Sequence, residues 1–158
     1  VMKSLTVSEN IQLATNTVQD NWFNFFKVSN NQDYILKKID FCLNQVGLEK
    51  AINQPVANLS HGDCRKLEIA MALASDAQLL LLDEPMAGLG PTETKEMIAL
   101  LNKLKGQQTI LLIEHDMDAV FALADRISVL VSGEIIATGD PDKIRRDSAV
   151  QSAYLGEM

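Results

Sequence analysis

The stretch Leu79-Leu80-Leu81-Leu82-Asp83-Glu84-Pro85 decides the fold class of this 158-residue chain. A short run of consecutive apolar residues is typical of a strand in a parallel sheet that is covered on both faces. Two adjacent carboxylates follow the run, and α/β sheets place their ligands at the carboxyl ends of their strands. The stretch therefore predicts an α/β fold with a strand from Leu79 to Asp83 and a functional site at Asp83 and Glu84.

The same alternation of apolar runs with helices continues towards the end of the chain. It predicts, in order, a helix from Pro91 to Gly106, a strand from Thr109 to Ile113, a helix from Asp116 to Ala124 and a strand from Ile127 to Val131. Ser132-Gly133 then predicts a tight turn into a last strand, Glu134 to Ala137, which pairs as an antiparallel hairpin at the sheet edge.

The residues before Asp76 predict helices instead. Thr6-Val7-Ser8-Glu9 has the form of a capping box, so a helix is expected from there to about Thr15. Asp33 is expected to open a second helix, and Ser60 to precede a third. The apolar stripes of these two helices step by three and four residues: Leu36, Ile39, Leu43 and Val46, then Cys64, Leu67, Met71 and Ala74.

An aromatic group at residues 22–26 has no clear period. Trp22, Phe23, Phe25 and Phe26 lie among Asn, Gln, Ser and Thr residues. The group either fills the core of the helical part or forms a surface that docks a partner protein, and a core role is favoured.

The composition excludes several classes of function. The chain is 47% apolar, with 14 basic and 21 acidic residues and a net charge of −7. This balance argues against a broad surface for nucleic acid or anionic lipid. No apolar run approaches the roughly 18 residues that span a bilayer, so a membrane role is expected to act through a protein partner. Cys42 and Cys64 have no metal-binding or redox spacing, and both are predicted to be buried thiols.

The acidic pair suits a site that hydrolyses a nucleotide. Asp83 would hold Mg²⁺ through water, because Mg²⁺ keeps several waters and takes few carboxylates. Glu84 would act as general base or position the attacking water, a role that contributes a factor of about 10²–10⁴ in rate. The alternative is an Asp-Glu pair that caps a helix after a core strand.

A second candidate site is Leu59-Ser60-His61-Gly62-Asp63, which precedes the acidic pair and opens the third helix. Ser60 is a favourable N-cap, and Gly62 would let the backbone come close to a ligand. The start of a helix attracts anions such as a terminal phosphate. The alternative is an N-cap with a purely structural role.

Four motifs in register resemble those of the ATP-binding-cassette (ABC) ATPases. Residues 59–63 are similar to the signature motif, whose common form is Leu-Ser-Gly-Gly-Gln, and residues 79–84 resemble the Walker B strand. Met86-Ala87-Gly88-Leu89-Gly90-Pro91 resembles the D-loop, and Ile113-Glu114-His115-Asp116 resembles the switch strand. The resemblance implies the C-terminal part of a P-loop NTPase (RecA-like) parallel sheet with an inserted α-helical lobe. The helical subdomain would span residues 1–74 and the ATPase core residues 75–158.

The resemblance also implies ATP and Mg²⁺ as cofactors and a second ATPase subunit as a partner. In this family the signature of one subunit closes over ATP that the other subunit holds. The signature residues that would serve the partner's nucleotide are Ser60, His61, Gly62 and Asp63, and the D-loop residues are Ala87, Gly88, Leu89 and Gly90. His115 would sense the γ-phosphate and position water together with Glu84. On the residues alone, a histidine at the start of a helix before Asp116 is the favoured interpretation.

Other segments resemble the branched-chain amino-acid uptake subfamily. They are Leu67-Glu68-Ile69-Ala70, Glu114-His115-Asp116-Met117-Asp118 and the ending from Asp140-Pro141 to Glu157. The resemblance implies an importer of hydrophobic amino acids. Its partners would be transmembrane permease subunits, without nucleic acid, and its location the cytoplasmic face of the inner membrane.

One family motif is missing from the sequence. None of the eight glycines is followed by lysine, so the chain has no Walker A loop. We expect a fragment or truncated reading frame that begins after Walker A and the glutamine loop. Alone, it should neither bind ATP tightly nor hydrolyse it, and its uncovered apolar surface should make it self-associate.

The D-loop departs from the family at Gly90, where many members carry Asp, and this weakens the transfer of its interface role. Two alternative functions remain open. One is a non-catalytic remnant that folds and associates. The other is an ABC ATPase of DNA repair or translation, which the acidic charge and the importer-like helical segment disfavour.

Overall fold

A computed structural model describes residues 1–18 and 28–155. The chain forms two compact units, residues 1–113 and residues 114–158. The predicted boundary at 74/75 falls inside the first unit, at the turn between a helix and a strand, and stays a prediction. The aromatic group at residues 22–26 lies outside the described residues.

The first unit contains four helices and two strands in its described part. They are α1 (Val7–Val18), α2 (Val28–Val46), α3 (His61–Ala74), β1 (Leu79–Asp83), α4 (Pro91–Lys105) and β2 (Thr109–Ile113), with short 3₁₀ turns at Glu49–Ala51 and Val56–Asn58. The predicted strands match β1 and β2, and the α/β class is confirmed.

The capping box at the start of α1 is confirmed. The Thr6 N–H donates to Oε2 of Glu9 at 2.7 Å, and the Glu9 N–H donates to Oγ1 of Thr6 at 3.3 Å. The expected ends were wrong in two places, since α1 runs on to Val18 and α2 begins at Val28 rather than Asp33. No glycine or proline lies in these extensions to stop either helix.

The buried side of α2 differs from the predicted stripe at one residue. Leu36 is 59% exposed, whereas Ile35, Ile39, Leu43 and Val46 are buried. Ile35 and Leu36 both fit the helical period of the apolar stripe. The packing of α2 on α1 and α3 determines which of the two is buried. The burial of Cys42 is confirmed, but Cys64 is only half-buried, so the prediction was wrong for this cysteine.

Strands β1 and β2 are parallel and pair Leu79 with Thr109 through Asp83 with Ile113. Leu80 is 2% exposed, but four large residues on the opposite face are exposed: Leu79 (48%), Leu81 (69%), Leu111 (56%) and Ile113 (60%). The prediction that both faces are covered was therefore wrong for this chain. Side chains alternate across a strand, and no described segment of this unit covers the second face.

The second unit contains a separate sheet. Its elements are α5 (Met117–Leu123), β3 (Ile127–Val131), β4 (Glu134–Gly139), α6 (Pro141–Arg146), α7 (Ser148–Val150) and a π-helical turn at Gln151–Leu155. The antiparallel hairpin of β3 and β4 is confirmed, but it forms a two-stranded sheet of its own rather than the edge of the β1–β2 sheet. Ser132 (φ 50°) and Gly133 (φ 88°) have the positive φ values of a type I′ turn, which matches the twist of a hairpin.

The core of the second unit is small. Ile127, Val129, Ile144 and Val150 are buried together. The guanidinium of Arg145 lies over the ring of Phe121 at 4.5 Å from its centroid. Among the described helices of the chain, none is long and apolar enough to cross a bilayer.

Candidate functional site

The acidic pair lies where β1 ends, and Glu84 has an unusual backbone. Its φ is +46°, in the left-handed region that non-glycine residues rarely adopt. The Glu84 N–H donates to the carbonyl of Ile113 at 2.9 Å, so β2 holds this conformation in place. Both carboxylates are exposed. Backbone strain of this kind concentrates at functional sites, and the sequence alone did not reveal it.

The loop after the acidic pair is compact. The Ala87 N–H donates to the carbonyl of Glu84 at 3.0 Å, and the Leu89 N–H donates to the carbonyl of Met86 at 3.1 Å. The side chain of Met86 is buried and anchors the loop. Gly88 has a φ of +77°, which accounts for glycine at this position.

The predicted N-cap of α3 is confirmed. Oγ of Ser60 accepts a hydrogen bond from the Asp63 N–H at 3.0 Å, while the Ser60 backbone is extended. His61 is exposed and Gly62 is buried in the first turn that follows. The signature-like residues therefore form a capped helix start, the local structure that both the anion-binding and the structural interpretations require.

The start of α3 and the loop 84–90 lie against each other. Nε2 of His61 is 3.3 Å from the carbonyl oxygen of Ala87. It is also 3.2 Å from the position that a Cβ would take at Gly88. The fold thus brings the signature-like and D-loop-like residues together within the first unit.

Glu93 is a residue of this site that the sequence reasoning missed. Its Oε2 accepts a hydrogen bond from the Gly90 N–H at 3.1 Å, and its Oε1 is 2.8 Å from the position of a Cβ at Gly62. The first contact could have been read from the sequence, because a Glu three residues after a helix N-cap is the capping-box position. The second contact is between distant segments, and the sequence carries no signal for it.

An ion-pair group continues the contact along the two helices. Nζ of Lys66 on α3 is 2.7 Å from Oε2 of Glu96 on α4 and 3.6 Å from Oδ1 of Asp63. Partial burial lowers the pKa of Lys66, but the hydrogen bond and charge of Glu96 outweigh it, so the pKa is raised. The same hydrogen bond to Lys66 lowers the pKa of Glu96. The negative charge of Asp63 is thereby balanced in part at the start of α3.

His115 belongs to the second unit, in the turn between β2 and α5. Its N–H donates to Oε2 of Glu114 at 3.2 Å, and its ring is exposed. Oδ1 of Asp116 accepts from the Ala119 N–H at 3.1 Å, so Asp116 is the N-cap of α5. His115 therefore stands immediately before a helix, as the alternative interpretation states, and this position is compatible with either role.

The residues at the end of β1 fit a magnesium ion that is bound mainly by water and phosphate. In the described ranges, no group of three or more His, Cys, Asp or Glu residues is arranged to hold a metal. Mg²⁺ in nucleotide sites needs only one or two carboxylates besides the phosphates. Asp83 satisfies this requirement, because its carboxylate is exposed at the carboxyl end of a strand.

A cleft of about 460 Å³ lies at the other end of the strands. Its lining includes Lys38, Asp76 and Thr109, at the amino ends of β1 and β2. Lys38 and Asp76 form an ion pair there. Because parallel sheets bind ligands at the carboxyl ends of their strands, this cleft is not the candidate site.

Comparison with known proteins identifies the family. The family model described as "ABC transporter" matches residues 2–87, and that of the branched-chain amino acid ATP-binding cassette transporters matches residues 134–158. The chain is 46% identical over 117 residues to the Escherichia coli high-affinity branched-chain amino acid transport ATP-binding protein LivG, covering 73% of this chain and 46% of LivG. It is 43% identical over the same length to BraF of Pseudomonas aeruginosa. A probable LivG of Archaeoglobus fulgidus is 31% identical, over 98% of this chain and 62% of the relative.

Solved structures show the same fold. The ADP conformation of MJ1267, an ATP-binding cassette of an ABC transporter, superimposes with a TM-score of 0.78 at 27% identity, covering 98% of this chain and 64% of MJ1267. A putative metal-chelate type ABC transporter superimposes with a TM-score of 0.81 at 21% identity, a likeness of fold alone. The chain spans about half the length of the LivG proteins that it matches. On the match of the family model to more than half of its residues, the chain belongs to the ABC transporter family.

Proposed function

We propose that this chain is part of the ATP-binding subunit of an ABC importer for branched-chain amino acids. The observation that carries the proposal is the meeting of two motifs in the first unit. His61 at the start of α3 contacts Ala87 and Gly88 of the loop that follows Glu84, and Gly62 contacts Glu93 at the start of α4. The relatives named as branched-chain amino acid transport ATP-binding proteins support the cargo.

Asp83 and Glu84 would have different roles in hydrolysis. Asp83 would bind Mg²⁺ through water, and the ion would neutralise charge on the phosphates when bound. The left-handed backbone of Glu84 fixes the direction in which its carboxylate leaves the strand. Glu84 would orient the attacking water and accept its proton, and His115 would donate a hydrogen bond to the terminal phosphate.

The signature-like segment would act on a nucleotide held by a second ATPase subunit. Ser60 and Asp63 stand at the start of the 14-residue helix α3, whose partial positive charge favours a phosphate. That nucleotide would be held by the second subunit, because in the family that the motifs resemble the signature of one subunit closes over ATP held by the other. The D-loop-like residues Ala87 to Gly90 would lie at the same subunit interface.

Two binding measurements test the proposal. Titration calorimetry with MgATP should show no tight binding to this chain, while intact E. coli LivG serves as the positive control. In sedimentation experiments, this chain should associate with intact LivG in MgATP and dissociate in MgADP. Ser60→Arg should abolish that association, because a bulky side chain would block the phosphate. Stoichiometric binding of MgATP by the chain alone, or association with LivG that is insensitive to nucleotide, would contradict the proposal.

The membrane partners follow from the same assignment. We propose that transmembrane permease subunits recruit the chain to the cytoplasmic face of the inner membrane. The net charge of −7 opposes direct binding to anionic lipid or nucleic acid. Co-purification of the chain with the permease subunits tests this location. A high detergent concentration should abolish the co-purification without unfolding the chain.

A second candidate function is a non-catalytic chain that associates with itself. It is favoured by the exposed apolar face of the β1–β2 sheet, which carries Leu79, Leu81, Leu111 and Ile113. The occupant that we propose is a second copy, since two identical apolar faces are complementary to each other around a twofold axis. Light scattering should show a dimer, and the double variant Leu81→Ser, Leu111→Ser should be monomeric. A monomeric unmodified chain at micromolar concentration would exclude this candidate.

A further inference from the structure

We propose that His61 and Glu93 are positioning residues that interlock the start of α3 with the loop after the acidic pair. We call this arrangement the glycine interlock. It consists of His61 against Gly88 and of Glu93 against Gly62. His61 of α3 occupies the space above Gly88 of the loop, and Glu93 of α4 occupies the space above Gly62 of α3.

The two glycines are required for different reasons. Gly88 has a φ of +77°, and a Cβ there would lie 3.2 Å from Nε2 of His61. Gly62 lies in the first turn of α3, where any residue can adopt the backbone conformation. A Cβ at Gly62 would lie 2.8 Å from Oε1 of Glu93, closer than such atoms approach in proteins. A side chain at position 62 would therefore displace the carboxylate of Glu93 from its present position.

In the hydrogen bond between His61 and Ala87, the imidazole is the donor. A carbonyl oxygen only accepts hydrogen bonds, so Nε2 of His61 must carry the proton that it shares with Ala87 across 3.3 Å. The N–H of Ala87 in turn donates to the carbonyl of Glu84. The peptide groups of Ala87 thus connect the imidazole to the residue with the left-handed backbone.

Glu93 joins three segments at once. One carboxylate oxygen accepts from the Gly90 N–H, and the other lies against Gly62. The carboxylate is therefore close to the first turns of both α3 and α4, where helix dipoles favour negative charge. Because of these contacts, the start of α3, the loop 84–90 and the start of α4 should move together.

A role of the glycine interlock in hydrolysis rests on the proposed function. If phosphate binds at Ser60 to Asp63, a displacement of the α3 start is transmitted through Ala87 to Glu84. Coupling of this kind is established only by measuring interaction between the residues themselves. The tests below need no nucleotide, and the binding tests of the proposed function use none of these variants, so the two sets of results are distinguishable.

The first test is a double-mutant cycle in equilibrium unfolding. Gly62→Ala should push the carboxylate of Glu93 aside and weaken its hydrogen bond to the Gly90 N–H, so its effect on stability should depend on whether Glu93 is present. We expect the unfolding constant of the double variant to differ from the product of the single effects by about fivefold or more. Gly106→Ala is the matched control, because nothing lies within 4 Å of a Cβ there, and it should be additive with Glu93→Ala. Additivity of Gly62→Ala with Glu93→Ala would overturn the interlock.

The second test applies even if Gly62→Ala does not fold. The exposed His61 is replaced by Ala or Gln, and hydrogen exchange is followed at the amides of Ala87 and Leu89. His61→Ala should accelerate their exchange by about tenfold, because loss of the contact frees the loop, while amides of β3 and β4 are unchanged. His61→Gln, which retains a donor, should restore part of the protection. Equal exchange in all three proteins, or acceleration throughout the chain, would contradict a positioning role.

Discussion

Lys66 on α3 and Glu96 on α4 form an ion pair at 2.7 Å, one turn beyond the glycine interlock along both helices. The side chain of Lys66 is 16% exposed, whereas that of Glu96 is 53% exposed. The pair therefore lies at the edge of the α3–α4 contact, where salt screens it.

Removal of this pair should lower stability slightly and in a salt-dependent way. Lys66→Ala should lower the melting temperature by about 1–3 °C at low ionic strength, and the loss should shrink in 1 M NaCl. The control is Lys95→Ala, which changes an exposed residue on α4. An equal loss at both salt concentrations would show that Lys66 stabilises by packing alone.

The capping box of α1 should make stability depend on pH. Hydrogen bonds from the backbone and hydroxyl of Thr6 lower the pKa of Glu9 below its ordinary 4.5. The stabilisation that Glu9 provides is therefore fully present above the pKa of Glu9 in the unfolded chain. It is lost as the pH falls through the lower pKa of Glu9 in the folded chain. In denaturation curves between pH 6 and pH 3, Glu9→Gln should lose less stability than the unmodified chain. Glu49→Gln, at another exposed position, should follow the unmodified chain.

The two cysteines should differ in their reaction with iodoacetamide. Burial raises the pKa of Cys42 to about 11, so about one thiol in a thousand is ionised at pH 8. Cys64 is only half-buried. Mass spectrometry of the folded chain should show modification of Cys64 well before Cys42, and both should react in denaturant. Faster modification of Cys42 would mean that α2 opens readily from the core.

The β3–β4 turn should accept a stabilising substitution. Ser132 has a φ of 50°, and asparagine tolerates the left-handed region better than serine. Ser132→Asn should raise the free energy of unfolding of the second unit by up to about 1 kcal/mol, because the left-handed conformation costs most residues about 1–2 kcal/mol and asparagine relieves part of this cost. Thermal unfolding followed by circular dichroism measures the change, with Ser128→Asn in the neighbouring strand as a control. A lower melting temperature for Ser132→Asn would contradict the type I′ geometry.

Adjacent leucines of β1 should respond in opposite ways to truncation. Leu80→Ala should cost about 2–5 kcal/mol, because Leu80 is 2% exposed and its removal leaves a cavity. Leu81→Ala should change the stability of the monomer by about 0.5 kcal/mol or less, since Leu81 is 69% exposed. Urea denaturation at low concentration distinguishes the two. A large loss for Leu81→Ala would show that this face is covered.

These leucines also show how far the sequence determines the structure. Alternation of apolar runs and helices predicted β1 and β2 to the residue, because strand length and position are local properties. The four consecutive leucines are chemically identical, so the sequence could not show that one side of the strand is uncovered. That property depends on which segments pack on the sheet, not on the strand itself.

The candidate site was predictable to a similar extent. The N-cap at Ser60 and the acidic pair are local patterns and were recognised. The left-handed backbone of Glu84 and the contact of Glu93 with Gly62 depend on partners elsewhere in the chain. The prediction that β3 belongs to the same sheet as β1 and β2 was wrong for the same reason. An apolar run specifies a strand but not the strand that pairs with it.

The hydrogen bond from Glu84 to Ile113 also sets an order of events during synthesis. The acidic pair leaves the ribosome before the whole of α4, and its backbone partner follows only with the last residue of β2. Parallel pairing of this kind must wait for its crossover helix, unlike the hairpin of β3 and β4. A nascent chain that stalls within α4 therefore carries the acidic pair without the strand that holds the backbone conformation of Glu84.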